Sequence, residues 1–211
     1  MKEYVSLSLL AISIIVLIFI AKAGSLSQDE KVTAFNNSLI FEKKAEYTKA
    51  INELVQIYEK NKDNYLFNMR LGWLYYIIND YPSSKKYYQI AVKIGKDNVE
   101  SLLGLVYPLA ALGEWSEVQV LYEKILKIDP QNYTANLRLG QIYLNSGSYT
   151  LARKYLETAN SQYPAEYEPN LSLGWTCYYL GDTKRAKELL TNVLMLSPND
   201  SLALQGLRII K

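Results

Sequence analysis

The side chains that ordinarily carry catalysis are scarce in this chain. Its 211 residues include no histidine and one cysteine, against 19 tyrosines and 3 tryptophans. Without imidazole, the usual general base near neutral pH and the commonest metal ligand are both missing. A single thiol, Cys177, cannot assemble a structural zinc site or an intramolecular disulfide, and among apolar helical neighbours it reads as a small buried hydrophobe. The adjacent acids Asp29 and Glu30 suit the positive end of a helix dipole better than an acid–base pair. Leu103-Gly104 and Leu173-Gly174 lie in helical patterns and not in a strand-to-helix phosphate loop. These residues point to no enzyme activity, no cofactor and no metal. A net charge of +2 argues against nucleic acid as a partner, because phosphate backbones demand a concentrated basic face. The chemistry left to the chain is non-covalent recognition by aromatic rings.

Those rings are set on a repeating frame. Between Tyr133 and Pro164, two amphipathic patterns are joined by a turn at Gly147. Gly140 and Ala152 let the two helices approach, Tyr143 fills the space between them, and Pro164 stops the second helix. Leu139-Gly140, Tyr143, Gly147, Ala152, Leu156, Ala159 and Pro164 recur one period later as Leu173-Gly174, Cys177, Gly181, Ala186, Leu190, Val193 and Pro198. One period earlier stand Leu105-Val106, Leu109, Gly113, Val118, Tyr122, Ile125 and Pro130. Leu71-Gly72, Tyr75, Asn79, Ser84, Tyr88 and Ala91 precede these, and Ser38, Phe41, Ala45, Ala50, Leu54 and Ile57 begin the series. A fixed period of roughly 34 residues marks a helical-hairpin array in which each unit hides its apolar side against the next.

On these positions the chain resembles the tetratricopeptide repeat family. The resemblance implies an all-α fold: a right-handed α-solenoid of five helical hairpins, at residues 31–64, 65–98, 99–132, 133–166 and 167–200, with a capping helix over 201–211. Leu204 and Leu207 are expected to face inward from that cap. In the family the first helices line a concave face that binds peptides or helices. Carried over, this face holds Leu66, Met69, Trp73, Tyr76 and Ile77, then Glu100, Leu103, Tyr107 and Ala111. It continues with Leu137, Gln141 and Asn145, and ends with Glu168, Leu171, Trp175, Tyr178 and Tyr179. Arg70 and Arg138 stand where some members grip a carboxylate, although the accompanying lysine and asparagine positions are not matched. Trp73 and Trp175 share one slot in repeats two and five. Pro108, four residues after Gly104, is expected to kink its helix and shape the groove.

The first 23 residues read as a signal peptide or a transmembrane anchor, with 24–30 as a linker. Tyr4 to Ala21 is apolar and uncharged, long enough at about 18 residues to span a bilayer, while Ala21-Lys22-Ala23 fits a cleavage site. Both readings export the repeats, either anchored to a membrane through residues 4–21 or released to the periplasm or medium. The expected function is a non-enzymatic adaptor or scaffold that binds a protein partner. Two alternatives remain open: a permanent assembly subunit of a membrane complex, and a module that stacks cell-wall glycan on its tyrosines.

Overall fold

The computed structural model describes residues 30–210, and the signal, anchor and linker expectations lie outside them. The described residues are helices joined by short turns, with no strand. None of these helices is long and apolar enough to cross a membrane. They fall into two units, residues up to 97 and residues from 98.

The first unit contains α1 (30–43), α2 (Tyr47–Val55), α3 (Tyr58–Asn61), α4 (Tyr65–Ile77) and α5 (Tyr81–Ile94). Its core gathers Ala50, Ile51, Leu54, Phe67, Leu71, Leu74 and Tyr87. The hairpin of α4 and α5 closes where Gly72 lies against Tyr88, since an added Cβ would sit 2.8 Å from that ring. The Ser84 hydroxyl donates to the Gly72 carbonyl across the same crossing at 2.7 Å. The second helix of the first hairpin, expected as one piece, is broken at Gln56 and Ile57 into α2 and α3. Ile57 leaves helical geometry at φ −114 and ψ 9, and the short α3 then brings the Tyr58 hydroxyl to Asn68 Oδ1 at 2.8 Å.

The second unit contains α6 (Val99–Ala111), α7 (Trp115–Ile128), α8 (Tyr133–Asn145), α9 (Tyr149–Gln162), α10 (Tyr167–Tyr179), α11 (Thr183–Leu196) and α12 (Ser201–Ile209). First helices start at Val99, Tyr133, Tyr167 and Ser201, second helices at Trp115, Tyr149 and Thr183. Local chemistry sets those starts. Asn98, Asn132, Asp182 and Asp200 each accept a hydrogen bond from the backbone N–H three residues on, supplying a donor-rich helix end with an acceptor. The intervening turns need a left-handed residue, and glycine takes it at Gly113, Gly147 and Gly181 with φ between 75 and 79. In the first unit the equivalent places fall to Ala45 and Asn79, at φ 58 and 62.

Packing repeats with the same period. A Cβ on Gly140 would lie 2.6 Å from Leu156 Cγ, and one on Gly174 would lie 3.0 Å from Leu190 Cγ. Helix α6 runs through Pro108 without interruption, and the proline is buried. The capping helix seats itself differently from expectation. Ala203, Gly206, Leu207 and Ile210 face the Leu190 and Val193 cluster, while Leu204 is 41% exposed. The inward set follows the helical period from Ala203, which turns Leu204 about 100° away.

Candidate functional site

In the first unit, the residues expected to await a partner are largely engaged within the chain. The Trp73 indole N–H donates to Glu42 Oε1 at 2.7 Å, and Arg70 Nη1 lies 2.6 Å from Glu42 Oε2. Arg70 also donates from Nε to the Ser38 hydroxyl and from Nη2 to the Ser38 carbonyl, both at 3.0 Å. Its side chain is only 10% exposed, so the carboxylate-anchor expectation for Arg70 fails: the guanidinium ties α4 to α1. Trp73 stacks on Tyr76, which tilts against Tyr81. Met69 is half-buried, whereas Leu66 is exposed beside a small apolar cavity of about 170 Å³ with Val32 and Phe35.

In the second unit the expected residues divide by depth. Leu137 is 2% exposed and belongs to the core with Leu156 and Leu173. It is a packing residue, and its assignment to the binding surface is corrected. Leu103 is half-buried and Tyr107 is half exposed. Arg138 donates to Glu168 at 2.8 Å and to Gln141 Oε1 at 2.9 Å, and Gln141 Nε2 donates on to the Ser172 hydroxyl at 3.2 Å. This ladder joins α8 to α10. The Glu168 hydrogen bond raises the Arg138 guanidinium further above its already high pKa, so Arg138 is a neutralised bridge between repeats.

The remaining expected aromatics, Trp175, Tyr178 and Tyr179, form one cluster with Tyr149. Tyr149 and Tyr179 stack with centroids 4.6 Å apart. Trp175 meets Tyr179 at 5.9 Å and Tyr178 edge-on at 5.7 Å. Above them opens a cavity of about 450 Å³, lined by Leu144, Asn145, Tyr149, Leu171, Ser172, Trp175, Tyr179 and Leu202. Its walls come from four helices, α8, α9, α10 and α12. A separate cavity of about 390 Å³ on the second-helix side, bordered by Glu123, Lys127, Lys154 and Tyr155, contains none of the expected residues.

The two matched tryptophans have opposite surroundings. Trp73 and Trp175 are three periods apart, and so are Glu42 and Leu144. Glu42 closes the Trp73 indole, whereas at Trp175 the corresponding place holds a leucine. Among the described residues the Trp175 N–H meets no acceptor, and it is not sealed from solvent. One slot therefore yields a closed structural tryptophan in the first unit and an open one in the second.

Sequence reasoning missed Leu144, Tyr149 and Leu202 as pocket walls. Leu144 was legible as the partner of the Glu42 position, but Tyr149 starts a second helix and reaches the site only through the hairpin. It also missed a recurrent asparagine. Asn68, Asn136 and Asn170 are buried, and each donates from Nδ2 to carbonyls four and six residues before it. These bonds satisfy the loop that enters each hairpin. Asn136 and Asn170 stand one period apart in the sequence, which was the available signal.

Helical hairpins with a small residue at the crossing, a left-handed turn residue and helix starts one period apart define a tetratricopeptide-type repeat fold. Tetratricopeptide repeat profiles match residues 109–171 and 167–200. Among solved structures, the chain is similar to YrrB, described as a TPR protein with an unusual peptide-binding site. The TM-score is 0.72 at 17% identity, over 90% of this chain and 97% of that one. A tetratricopeptide repeat protein from Parabacteroides merdae gives a TM-score of 0.74 at 16% identity, over 85% and 71% of the two chains. MamA from Desulfovibrio magneticus RS-1 gives 0.62 at 21% identity, over 68% and 81%. These likenesses show the fold. No curated protein matches the chain.

Proposed function

We propose that the chain is a non-enzymatic protein-interaction scaffold that holds a segment of a partner protein against the first-helix face of residues 98–210. The observation that carries this reading is the aromatic cavity at Trp175, a partly exposed surface of rings, leucines and neutral polar groups whose indole N–H has no internal acceptor. Exposed aromatic anchors beside a pocket are where interface energy concentrates, at about 2 kcal/mol or more for a dominant residue. The peptide-binding site attributed to YrrB is consistent with this use of the fold. Tyr107 and Leu103 extend the same face along α6, and the Arg138–Glu168 bridge fixes the spacing of α8 and α10. The Trp73 face of the first unit, with its polar atoms engaged internally, contributes less. The N-terminal residues 1–23 act as signal or anchor and place the scaffold on the non-cytoplasmic side of a membrane.

Affinity capture with the full chain as bait, repeated with a Trp175→Ala/Tyr179→Ala variant, tests the binding face. Protein partners retained by the parent and lost by the variant are expected. Capture patterns that do not change would remove the proposal. A reporter enzyme fused after residue 211, active only outside the cytoplasm, tests the export reading and is expected to be active.

A further inference from the structure

We propose, resting on the segment-binding reading above, that the cavity at Trp175 is a specificity pocket for an uncharged apolar side chain of the leucine or phenylalanine class. The partner is an extended protein segment that presents this side chain. Three features of the pocket argue for this chemistry.

First, every residue that lines the cavity is uncharged. The nearby pair Arg138 and Glu168 neutralise each other at 2.8 Å, so no net charge faces the ligand. A carboxylate or ammonium entering here would lose its water without gaining a counter-charge. Second, the walls include Leu144, Leu171 and Leu202 beside Trp175 and Tyr179. Leucine methyl groups offer a sugar ring's hydroxyls no hydrogen bonds, but they match an aliphatic or aromatic side chain. This favours a protein segment over a glycan. Third, the polar residues in the lining, Asn145, Ser172, Tyr149, Tyr179 and Trp175, carry only neutral groups, which suit the neutral donors and acceptors of a peptide main chain.

The contrast with Trp73 supplies the decisive perturbation. Replacing Leu144 by glutamate gives Trp175 the acceptor that Glu42 gives Trp73, and it adds a negative charge to the pocket wall. Leu144 is partly exposed and packs at the edge of the core, so circular dichroism of Leu144→Glu checks that the helices persist. Leu144→Met keeps the apolar wall and serves as the conservative partner.

The experiment is selection of a random 12-residue peptide library displayed on phage against the full-length chain, followed by affinity measurement of selected peptides. The expected result is one position enriched in Leu, Phe, Met, Ile or Trp. Binding should weaken at least about tenfold in Trp175→Ala and in Leu144→Glu, a loss of about 1.4 kcal/mol, and persist in Leu144→Met. Trp175-dependent peptides with Lys, Arg, Asp or Glu at the fixed position would overturn the uncharged pocket and leave segment binding standing. Undiminished binding by a folded Leu144→Glu variant would do the same. Selection of no Trp175-dependent peptide would overturn both proposals.

Discussion

The close crossing of α8 and α9 gives a prediction whose sign reverses with its background. Gly140→Ala places a Cβ 2.6 Å from Leu156 Cγ, 2.8 Å from its Cδ2 and 3.3 Å from its backbone nitrogen. The side-chain atoms can rotate, but the backbone nitrogen moves only if α9 shifts. Over-packing of this kind costs about 1–3 kcal/mol, and replacing a helical glycine by alanine returns about 1 kcal/mol. The single variant should therefore lose up to about 2 kcal/mol. Leu156 is fully buried, so Leu156→Ala by itself should cost about 2–5 kcal/mol. With Leu156 truncated the side-chain clash disappears, leaving the 3.3 Å approach to the backbone nitrogen and the helical preference. In that background Gly140→Ala should stabilise by up to about 1 kcal/mol. Urea unfolding of the four proteins, followed by far-ultraviolet circular dichroism, closes the cycle. Additive effects, or an alanine at 140 that destabilises in both backgrounds, would refute the claim that contact with Leu156 is why glycine stands there.

Three further outcomes follow from the same geometry. Ala45 adopts φ 58 where Gly113 adopts φ 75; left-handed backbone costs a residue with Cβ about 1–2 kcal/mol. Ala45→Gly should raise stability slightly and Gly113→Ala lower it by about 1 kcal/mol, read by urea melts. Glu42→Ala should destabilise by about 2 kcal/mol, because it removes the counter-charge of a nearly buried guanidinium and the Glu42 acceptor of an indole N–H, whereas Glu168→Ala on the exposed pair should cost under about 1 kcal/mol by the same assay. Burial pushes the Tyr87 and Tyr122 phenols from their ordinary value up to about 12. Their raised folded values mean that the unfolded chain releases protons first, so stability is intact below pH 10 and falls between about pH 10 and 12. A Tyr87→Phe/Tyr122→Phe variant should lose less stability across that window in pH-dependent melts.

The hairpin pattern could be read without coordinates because it depends on residues that act locally or on neighbours at fixed spacing. Gly113, Gly147 and Gly181 mark the turns, and Gly72, Gly140 and Gly174 the crossings. Each requirement is met by one side chain, or its absence, and each recurs with the period. The break between α2 and α3 escaped this reading, because it depends on how Ile57 and Tyr58 pack near Asn68 and not on any helix-breaking residue.

The surface was less legible. The slot rule places a residue on a helix face but does not say how deep it lies or what it meets. Leu137 and Leu171 share one slot, yet one is sealed in the core and the other borders the cavity. Trp73 and Trp175 also share a slot, and the difference between a closed indole and an open one lies on a neighbouring helix, at Glu42 and Leu144. The sequence alone determined the hairpins, their period and their small-residue crossings, because those follow from backbone geometry within a few turns. Tertiary structure alone decided which aromatic face stayed open, because that depends on an acceptor supplied, or withheld, from one repeat away.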